Sequence, residues 1–237
     1  MFNQEELDEL YKDIQNCHIC PQMDKEKSLR LVCGVNSEAD VFIISQTLAA
    51  NQLRKSGVNF FQADGRLGKT GTILEPFLNK FHRTVYPQQK VTITGNVTIP
   101  NCNPKYKVVY NTEIAQCFPG KNKGGKGDRK PTSIEIRNCI DKGFLIKEIT
   151  MIKPKLLLLM GKASRDSFFD YVLKAKYPPS LSEHISEIIL AGEIPVFSVG
   201  NLNLRVLPIQ HASGVNPRFR SMMEDDGLIK LIKEVLE

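Results

Sequence analysis

Four cysteines have the spacing of a metal or cluster site. Two form a CxxC pair near the start of the chain and two lie far downstream, at Cys17, Cys20, Cys117 and Cys139. Four thiolates can hold a tetrahedral Zn²⁺ ion or a [4Fe–4S] cluster, and sulfur ligands alone do not distinguish the two. Zinc ribbons usually supply two tight CxxC hooks, whereas the second pair here is widely spaced, which favours the cluster.

The same cysteines also have simpler interpretations. The CxxC pair can be a redox couple, or the thiols can be unrelated buried side chains. The remaining cysteines, Cys33 and Cys102, have no other cysteine at a spacing typical of a metal-binding motif, and we interpret them as ordinary buried or loop thiols. The residue types therefore leave cluster binding, zinc binding and redox chemistry open.

The composition and the amino terminus indicate the surroundings of these thiols. The 237 residues are 41% hydrophobic and 24% charged, with a net charge of +6, which is typical of a globular chain and hints at an anionic partner. The start, MFNQEELDEL, has no signal-peptide pattern, and the longest aliphatic run, LLLLM, is too short to cross a bilayer. We therefore expect a cytoplasmic or nuclear protein with no membrane partner, in which disulfides are disfavoured.

The elements that must position these residues follow a βαβ pattern. Short apolar runs predict strands at 41–45, 107–114, 155–161 and 204–211, and helical periodicity predicts helices at 71–82, 132–152, 162–175 and 181–190, at the carboxyl terminus and before Cys17. The runs VFIIS and LLLLM are apolar throughout, so helices should cover both faces of a mainly parallel sheet. Ligands of such sheets bind where the strands end.

Two further stretches suggest anion binding. The segment PGKNKGGKGDRKP, residues 119–131, predicts a mobile loop whose basic side chains can neutralise phosphates, although most such loops are only solvated insertions. The segment ADGRLGKT, residues 63–70, fits a relaxed phosphate-binding loop of a nucleotide hydrolase, but no aliphatic strand directly precedes it. The basic side chains concerned are Lys121, Lys123, Lys126, Arg129 and Lys130.

In chain order, the motifs resemble the iron–sulfur, family 4-like branch of the uracil-DNA glycosylase superfamily. The most specific parts are QCFPGKN, PTSIEIRNC and LPIQHASGVNPR, and the match runs from about Cys17 to Arg218. The resemblance implies one three-layer α/β/α domain over residues 1–237, with a four-stranded mainly parallel sheet and a [4Fe–4S] cluster on the four cysteines. It also implies a monomer that hydrolyses the base–sugar bond of uracil or another deaminated or damaged base in DNA.

The resemblance also implies site residues. His211 would donate a hydrogen bond to the departing base, whose negative charge must be stabilised. Phe60 would stack on the base after it is flipped out of the duplex, and Phe61 is the alternative if the register slips by one. The loop after His211 is suited to enter a DNA groove, through Ser213, Gly214, Asn216 and Arg218.

Two positions depart from the family pattern. Gln46 stands where an acidic residue usually orients the attacking water; a glutamine can orient water but cannot act as a carboxylate base. Glu113 stands where an asparagine reads the uracil edge, and a carboxylate pairs with an exocyclic amine rather than a carbonyl. Asn111, on the same strand face, can substitute if the pocket is shifted. A DNA-binding relative with altered catalysis is therefore an alternative to an active enzyme.

Overall fold

Short apolar segments form the strands of a central sheet that has helices on both faces. The structure, a computed structural model, describes residues 4–20, 39–47, 56–93, 96–214 and 216–237. In chain order its elements are α1 (Gln4–Gln15), β1 (Val41–Ser45), α2 (Lys69–Asn79), β2 (Arg83–Thr84), β3 (Val91–Thr92), β4 (Thr98–Ile99), β5 (Lys107–Val108), β6 (Tyr110–Glu113), α3 (Ser133–Asp141), α4 (Phe144–Ile152), β7 (Leu156–Met160), α5 (Lys162–Ser167), a π-helical turn (Phe168–Leu173), α6 (Leu181–Ala191), β8 (Val196–Val199), β9 (Leu202–Ile209), α7 (Pro217–Met223) and α8 (Asp226–Leu236). None of the described helices has the length and apolarity needed to cross a membrane.

The central sheet has five strands in the order β6-β1-β7-β9-β8. The first four run parallel, and β8 pairs antiparallel with β9 at one edge. The mainly parallel α/β fold is confirmed, but the sheet has five strands where the sequence predicts four. The sequence does not reveal β8 because an edge strand is partly exposed, with Val196 at 54%, and lacks a continuous apolar run.

Alternate residues of the buried strands point into two separate cores. Ile43 and Leu158 pack with α2, α6, α7 and α8, whereas Phe42 and Leu157 pack with α3, α4 and the π-helical turn. Successive side chains of a strand point to opposite faces, so strands that are apolar at every position need cover on both sides. The predicted α/β/α layering follows from this requirement.

Two predicted elements are divided. The helix expected at 132–152 is two helices, α3 and α4, because Gly143 between them has a left-handed backbone with φ of +73°. The strand expected at 107–114 begins as β5, which pairs with β2, before β6 joins the central sheet. In both cases the apolar pattern of the sequence continues without interruption, although the two halves of the segment pack against different elements. The sequence pattern alone does not show where one half ends and the other begins.

The basic stretch 119–131 is a loop, as predicted, and it carries hydrogen bonds of its own. Lys121 forms an ion pair with Asp128 at 2.5 Å. The Arg129 guanidinium donates to both carboxylate oxygens of Glu135, at 2.8 and 2.7 Å, and so anchors the loop to the first turn of α3. Two of its basic side chains are therefore engaged within the protein. Lys123, Lys126 and Lys130 are exposed and take part in neither of these two ion pairs.

Candidate active site

A cleft of about 350 Å³ lies at the carboxyl ends of the parallel strands. Each of these strands supplies residues where it ends: Gln46 follows β1, Glu113 ends β6, Gly161 follows β7 and His211 follows β9. Parallel α/β sheets bind their ligands at this edge, because the chain leaves the sheet there in loops that can carry different side chains. The segment before α2 and the first turn of that helix complete the lining, with Asn59, Phe60 and Thr70.

His211 reaches the cleft from the end of β9. The Gly161 N–H donates to the Ile209 carbonyl at 2.8 Å, which ties the end of β7 to the end of β9 beside the histidine. Desolvation in the cleft lowers the pKa of His211 below its ordinary value, although part of the side chain still meets solvent. The imidazole is therefore neutral at pH 7, with one N–H to donate and one nitrogen to accept.

Phe60 lines the cleft with a strained backbone. Its φ of +67° is uncommon for an aromatic residue, and such strain persists only where neighbouring structure imposes it. Here the Phe60 carbonyl accepts a 2.6 Å hydrogen bond from the N–H of Gly68, the residue that caps α2. Phe61 is 1% exposed, packs edge-on against Tyr86 and does not line the cleft. Phe60, itself only 4% exposed, does line the cleft, so the structure favours Phe60 over Phe61 for the predicted stacking role.

Glu113 is held by a residue that the sequence did not single out. The Asn59 amide nitrogen donates to Glu113 Oε1 at 2.5 Å and also to Asn111 Oδ1. Glu113 lines the cleft and is 2% exposed, whereas Asn111 is half-buried and outside the lining. The only sequence signal for Asn59 is its position directly before Phe60. An asparagine in a turn is usually there for its backbone preferences, which is why the pattern did not reveal it.

Gln46 occupies the cleft at the end of β1. Its carbonyl accepts from the Ala115 N–H at 3.1 Å, which extends the β1–β6 pairing by one step. The next residue, Thr47, donates through its hydroxyl to the Cys117 carbonyl at 3.3 Å. The backbone at Gln46 is thus fixed on the side of β6, and its half-buried amide side chain can hydrogen-bond a water molecule but cannot remove a proton from it.

The loop after His211 is shaped by its own asparagine. Asn216 accepts from the Arg218 N–H at 3.2 Å as the cap of α7, and its amide donates to the His211 carbonyl at 3.1 Å. The Ser213 N–H donates to the same carbonyl at 2.9 Å. Asn216 and Ser213 therefore hold the loop against His211, while Gly214 and Arg218 are the exposed members of the predicted groove-facing set.

The four predicted cysteine ligands lie in one region, called here the cysteine corner (Cys17, Cys20, Cys117 and Cys139). Cys17 and Cys139 both pack against the apolar cluster between α1 and α4. The Asn138 amide approaches Cys20 Sγ at 3.5 Å, and the Gln116 N–H donates to Cys139 Sγ at 3.3 Å. The neighbour of Cys117 thus meets Cys139, and the neighbour of Cys139 meets Cys20. All four are half-buried.

The cysteine corner does not have the geometry of a closed single-ion site. Within the described ranges, no three His, Cys, Asp or Glu side chains form a group that could hold a metal ion. A tetrahedral Zn²⁺ site would need its four sulfurs around one point. Of the other two cysteines, Cys102 is buried, as predicted, and Cys33 lies outside the described residues.

A buried carboxylate connects the cysteine corner to the cleft. Glu148 is fully buried and accepts hydrogen bonds from Tyr110 at 2.9 Å, from Thr112 at 2.8 Å and from the Gln116 amide at 3.2 Å. The same amide also donates to the Glu113 carbonyl at 2.9 Å. A buried carboxylate is stable only when such donors surround it, so this network fixes the backbone between Glu113 and the cysteine corner.

The phosphate-loop interpretation of residues 63–70 is not supported. A phosphate-binding loop joins a buried strand directly to a helix. Here α2 does begin at Lys69, but the residues before it form turns, with a single bridge between Phe61 and Leu67. In this structure Gly68 and Gly71 instead lie against the Phe60 backbone.

A protein-family model described as the Uracil DNA glycosylase superfamily matches residues 34–233. A comparison with curated proteins found no match to this chain. The matched residues include every strand of the central sheet and all the residues that line the cleft.

Proposed function

Because the chain belongs to the uracil DNA glycosylase superfamily, we propose that it is a DNA glycosylase that removes a deaminated or damaged base from DNA. The observation that carries the proposal is the meeting of Gln46, Phe60, Glu113 and His211 in one cleft at the strand ends. Each comes from a different segment of the chain. Their convergence supports a site that holds one flat polar ligand between an aromatic ring and hydrogen-bonding groups.

Binding begins with extrusion of the target base, since a base inside a duplex is out of reach of the cleft. Phe60, which packs in the core and lines the cleft, supplies an aromatic face on which the extruded base stacks. Glu113 and Asn59 meet the polar edge of the base. The exposed Arg218 and Gly214 contact the DNA backbone near the vacated position.

The chemical step breaks the bond between the sugar carbon and the base nitrogen, leaving positive charge on the sugar and negative charge on the base. The neutral His211 imidazole donates its N–H to an oxygen of the departing base, where that negative charge develops. Gln46 positions a water molecule that adds to the sugar carbon. Since Gln46 cannot take the proton of this water, the water attacks a sugar cation that is already largely formed, and the proton leaves to solvent.

We further propose that the cysteine corner holds a [4Fe–4S] cluster. The contacts of Cys17, Cys20 and Cys139, and of the residue before Cys117, in one region support it, and a cluster separates its ligand sulfurs more widely than a single zinc ion does. Such a cluster would cross-link the end of α1 to α3 and to the segment after β6. No step of the base-removal chemistry passes through it. Iron content and visible absorbance of anaerobically purified protein test this, with loss of both expected in Cys139→Ser.

A panel of oligonucleotides tests the proposed activity. Single- and double-stranded DNA carrying uracil, hypoxanthine, xanthine or oxidised and halogenated pyrimidines should yield an alkali-labile abasic site with at least one base. His211→Ala should reduce that cleavage about 100-fold to 1,000-fold, the usual loss when one donor to a developing anion is removed. His82→Asn is the matched control, because His82 is an exposed histidine outside the cleft lining and Asn tolerates its φ of +55°.

The second candidate is a DNA-binding relative with altered catalysis, which Gln46 in place of an acidic residue favours. Such a protein would retard the same oligonucleotides in a binding assay and leave every one of them intact. Size measurement of the DNA complex tests the accompanying proposal that the protein acts as a monomer.

A further inference from the structure

The wall of the cleft formed by Asn59 and Glu113 presents hydrogen-bond acceptors. Glu113 Oε1 accepts from the Asn59 amide nitrogen, which fixes the orientation of that amide because the opposite orientation would set two oxygens against each other. The second hydrogen of the same nitrogen goes to Asn111 Oδ1. Both donor hydrogens of Asn59 are thus used within the protein, and its remaining polar side-chain atom is an oxygen.

The donors of the cleft lie on the other side. The described cleft lining includes His211 and Lys162, which follow β9 and β7, and the Lys162 ammonium also pairs with Asp166. Glu113 ends β6, at the opposite edge of the parallel part of the sheet. Three inter-strand spacings separate the ends of β6 and β9, or about 14 Å. Acceptors and donors are therefore far enough apart to meet the two ends of the Watson–Crick edge of one pyrimidine, at positions 4 and 2.

This polarity matches one kind of pyrimidine. A base with an amino group at ring position 4 and a carbonyl at position 2 has a donor on one side and an acceptor on the other. Uracil has carbonyl oxygens at both positions, so one of its oxygens would face the Glu113 carboxylate. A hydrogen bond between neutral and charged groups contributes more than a neutral pair, and an oxygen facing a carboxylate has no such bond.

We propose that the cleft selects 4-amino-2-oxopyrimidines, bases of the cytosine type that carry damage or modification elsewhere on the ring, with Glu113 and Asn59 as the residues that determine this specificity. The amino group donates to the acceptor wall and the carbonyl accepts from His211. The proposal rests on the proposed function, since it takes the ligand to be a base flipped out of DNA.

The test uses two bases that differ at position 4 and, with it, in the protonation of the ring nitrogen at position 3. Single-stranded DNA carrying 5-fluorocytosine or 5-fluorouracil is compared for cleavage, so that neither base is held in a pair with guanine. Because the two bases differ in leaving ability, the ratio of their cleavage rates is compared between the parent and Glu113→Gln. The same pair on 2′-fluoroarabinose sugars, which resist cleavage, is compared for binding. The parent protein should prefer the amino base at least about tenfold in binding, the effect of one hydrogen bond to a charged group.

Variants of the acceptor wall complete the test. Glu113→Gln keeps the shape and adds donors, so it should abolish or reverse the preference, while Glu187→Gln, at an exposed site on α6, should leave it unchanged. Asn59→Ala, at a half-buried position, should weaken the preference because Glu113 loses the group that orients it. Thermal unfolding of each variant shows whether it is folded before it is scored.

The outcomes separate the two proposals. Preferred binding of the amino base without cleavage of either base would support the specificity and overturn the hydrolytic function. Binding of 5-fluorouracil that equals or exceeds binding of 5-fluorocytosine, or failure to bind either base, would overturn the specificity. In the first of those two cases the glycosylase function would stand if either base is cleaved.

Discussion

Gly161 lies against His211. A Cβ added at Gly161 would come 3.2 Å from the His211 Cβ and 3.4 Å from its Cδ2, and the backbone at Gly161 has a φ of +89°. The strand that ends at Met160 therefore turns into α5 through a residue that leaves room for the imidazole. The position of His211, the proposed donor to the departing base, thus depends on residue 161 having no side chain where the ends of β7 and β9 meet.

Substitution of Gly161 should reduce activity more than stability. In Gly161→Ala the added methyl displaces the His211 ring, and a displacement of this kind near reacting atoms costs about 100-fold in kcat/KM. Gly192→Ala is the control for a positive φ, because Gly192 has a φ of +74° with nothing within 4 Å of an added Cβ. Gly192→Ala, in the left-handed helical region, should lose about 1 kcal/mol in the free energy of unfolding. Gly161→Ala should lose about 1 to 3 kcal/mol, because its φ of +89° and ψ of 162° lie in a region essentially restricted to glycine. Full activity of Gly161→Ala on the best substrate of the oligonucleotide panel would contradict the role of this contact.

Gly71 should matter for base binding through Phe60. A Cβ at Gly71 would lie 2.9 Å from the Phe60 carbonyl oxygen and 3.0 Å from its Cβ, so Gly71→Ala must move the stacking residue. Alanine is otherwise the better helix former by about 1 kcal/mol. We expect weaker binding of extrahelical-base DNA, measured by fluorescence titration, with little loss of thermal stability. Thr72→Ala, an exposed change in the same helix, should bind this DNA like the parent. If Gly71→Ala also binds like the parent, the contact between Gly71 and Phe60 does not affect base binding.

The exposed lysines of the basic loop should contribute to the salt dependence of DNA binding. Each phosphate contact adds about 0.9 to the slope of log Kd against log salt concentration, so replacing Lys123 and Lys126 by alanine should lower that slope by about 2. Replacing Lys230 and Lys233, which are exposed on α8, changes the net charge equally and should leave the slope unchanged. A slope in the loop variant equal to that of the parent would show that these lysines do not contact phosphates and that the loop is only a solvated insertion. Lys121 is a poorer choice for this test because Asp128 already pairs with it.

His184 should make the fold sensitive to acid. Burial, with a contribution from the nearby Arg165 charge, lowers the pKa of His184 to about 4 from the ordinary 6.5. Because the unfolded chain binds this proton more readily, the full stability is present above pH 6.5 and is lost as the pH falls towards 4, by up to about 3 kcal/mol. Denaturant unfolding of the parent and of His184→Gln should give a steeper decline for the parent over this range, whereas His82→Gln should follow the parent. Parallel declines in parent and His184→Gln would show that other groups cause the acid sensitivity.

Several features of the site were predictable from the sequence because they depend on local patterns. The apolar runs VFIIS and LLLLM have to be central strands, and residues that follow such strands have to meet at one edge of the sheet. Strand-end position predicted that the segments containing Gln46 and His211 meet, and the resemblance to the glycosylase family singled out these two residues and Glu113. The sequence left the choice between Phe60 and Phe61 open, because neighbouring aromatic residues differ only in which way the backbone turns. The cleft lining, which includes Phe60 and not Phe61, favours Phe60.

The sequence by itself determined the layered sheet, the strand ends and the residue types available to the site, since periodicity and apolarity act over a few neighbouring residues. Only the tertiary structure decided that Asn59 turns its amide onto Glu113, that β8 adds a fifth strand and that the cysteine corner connects to the cleft through Glu148. These features join residues far apart in the chain, and a hydrogen bond between such residues depends on the positions of both backbones, which no local pattern contains.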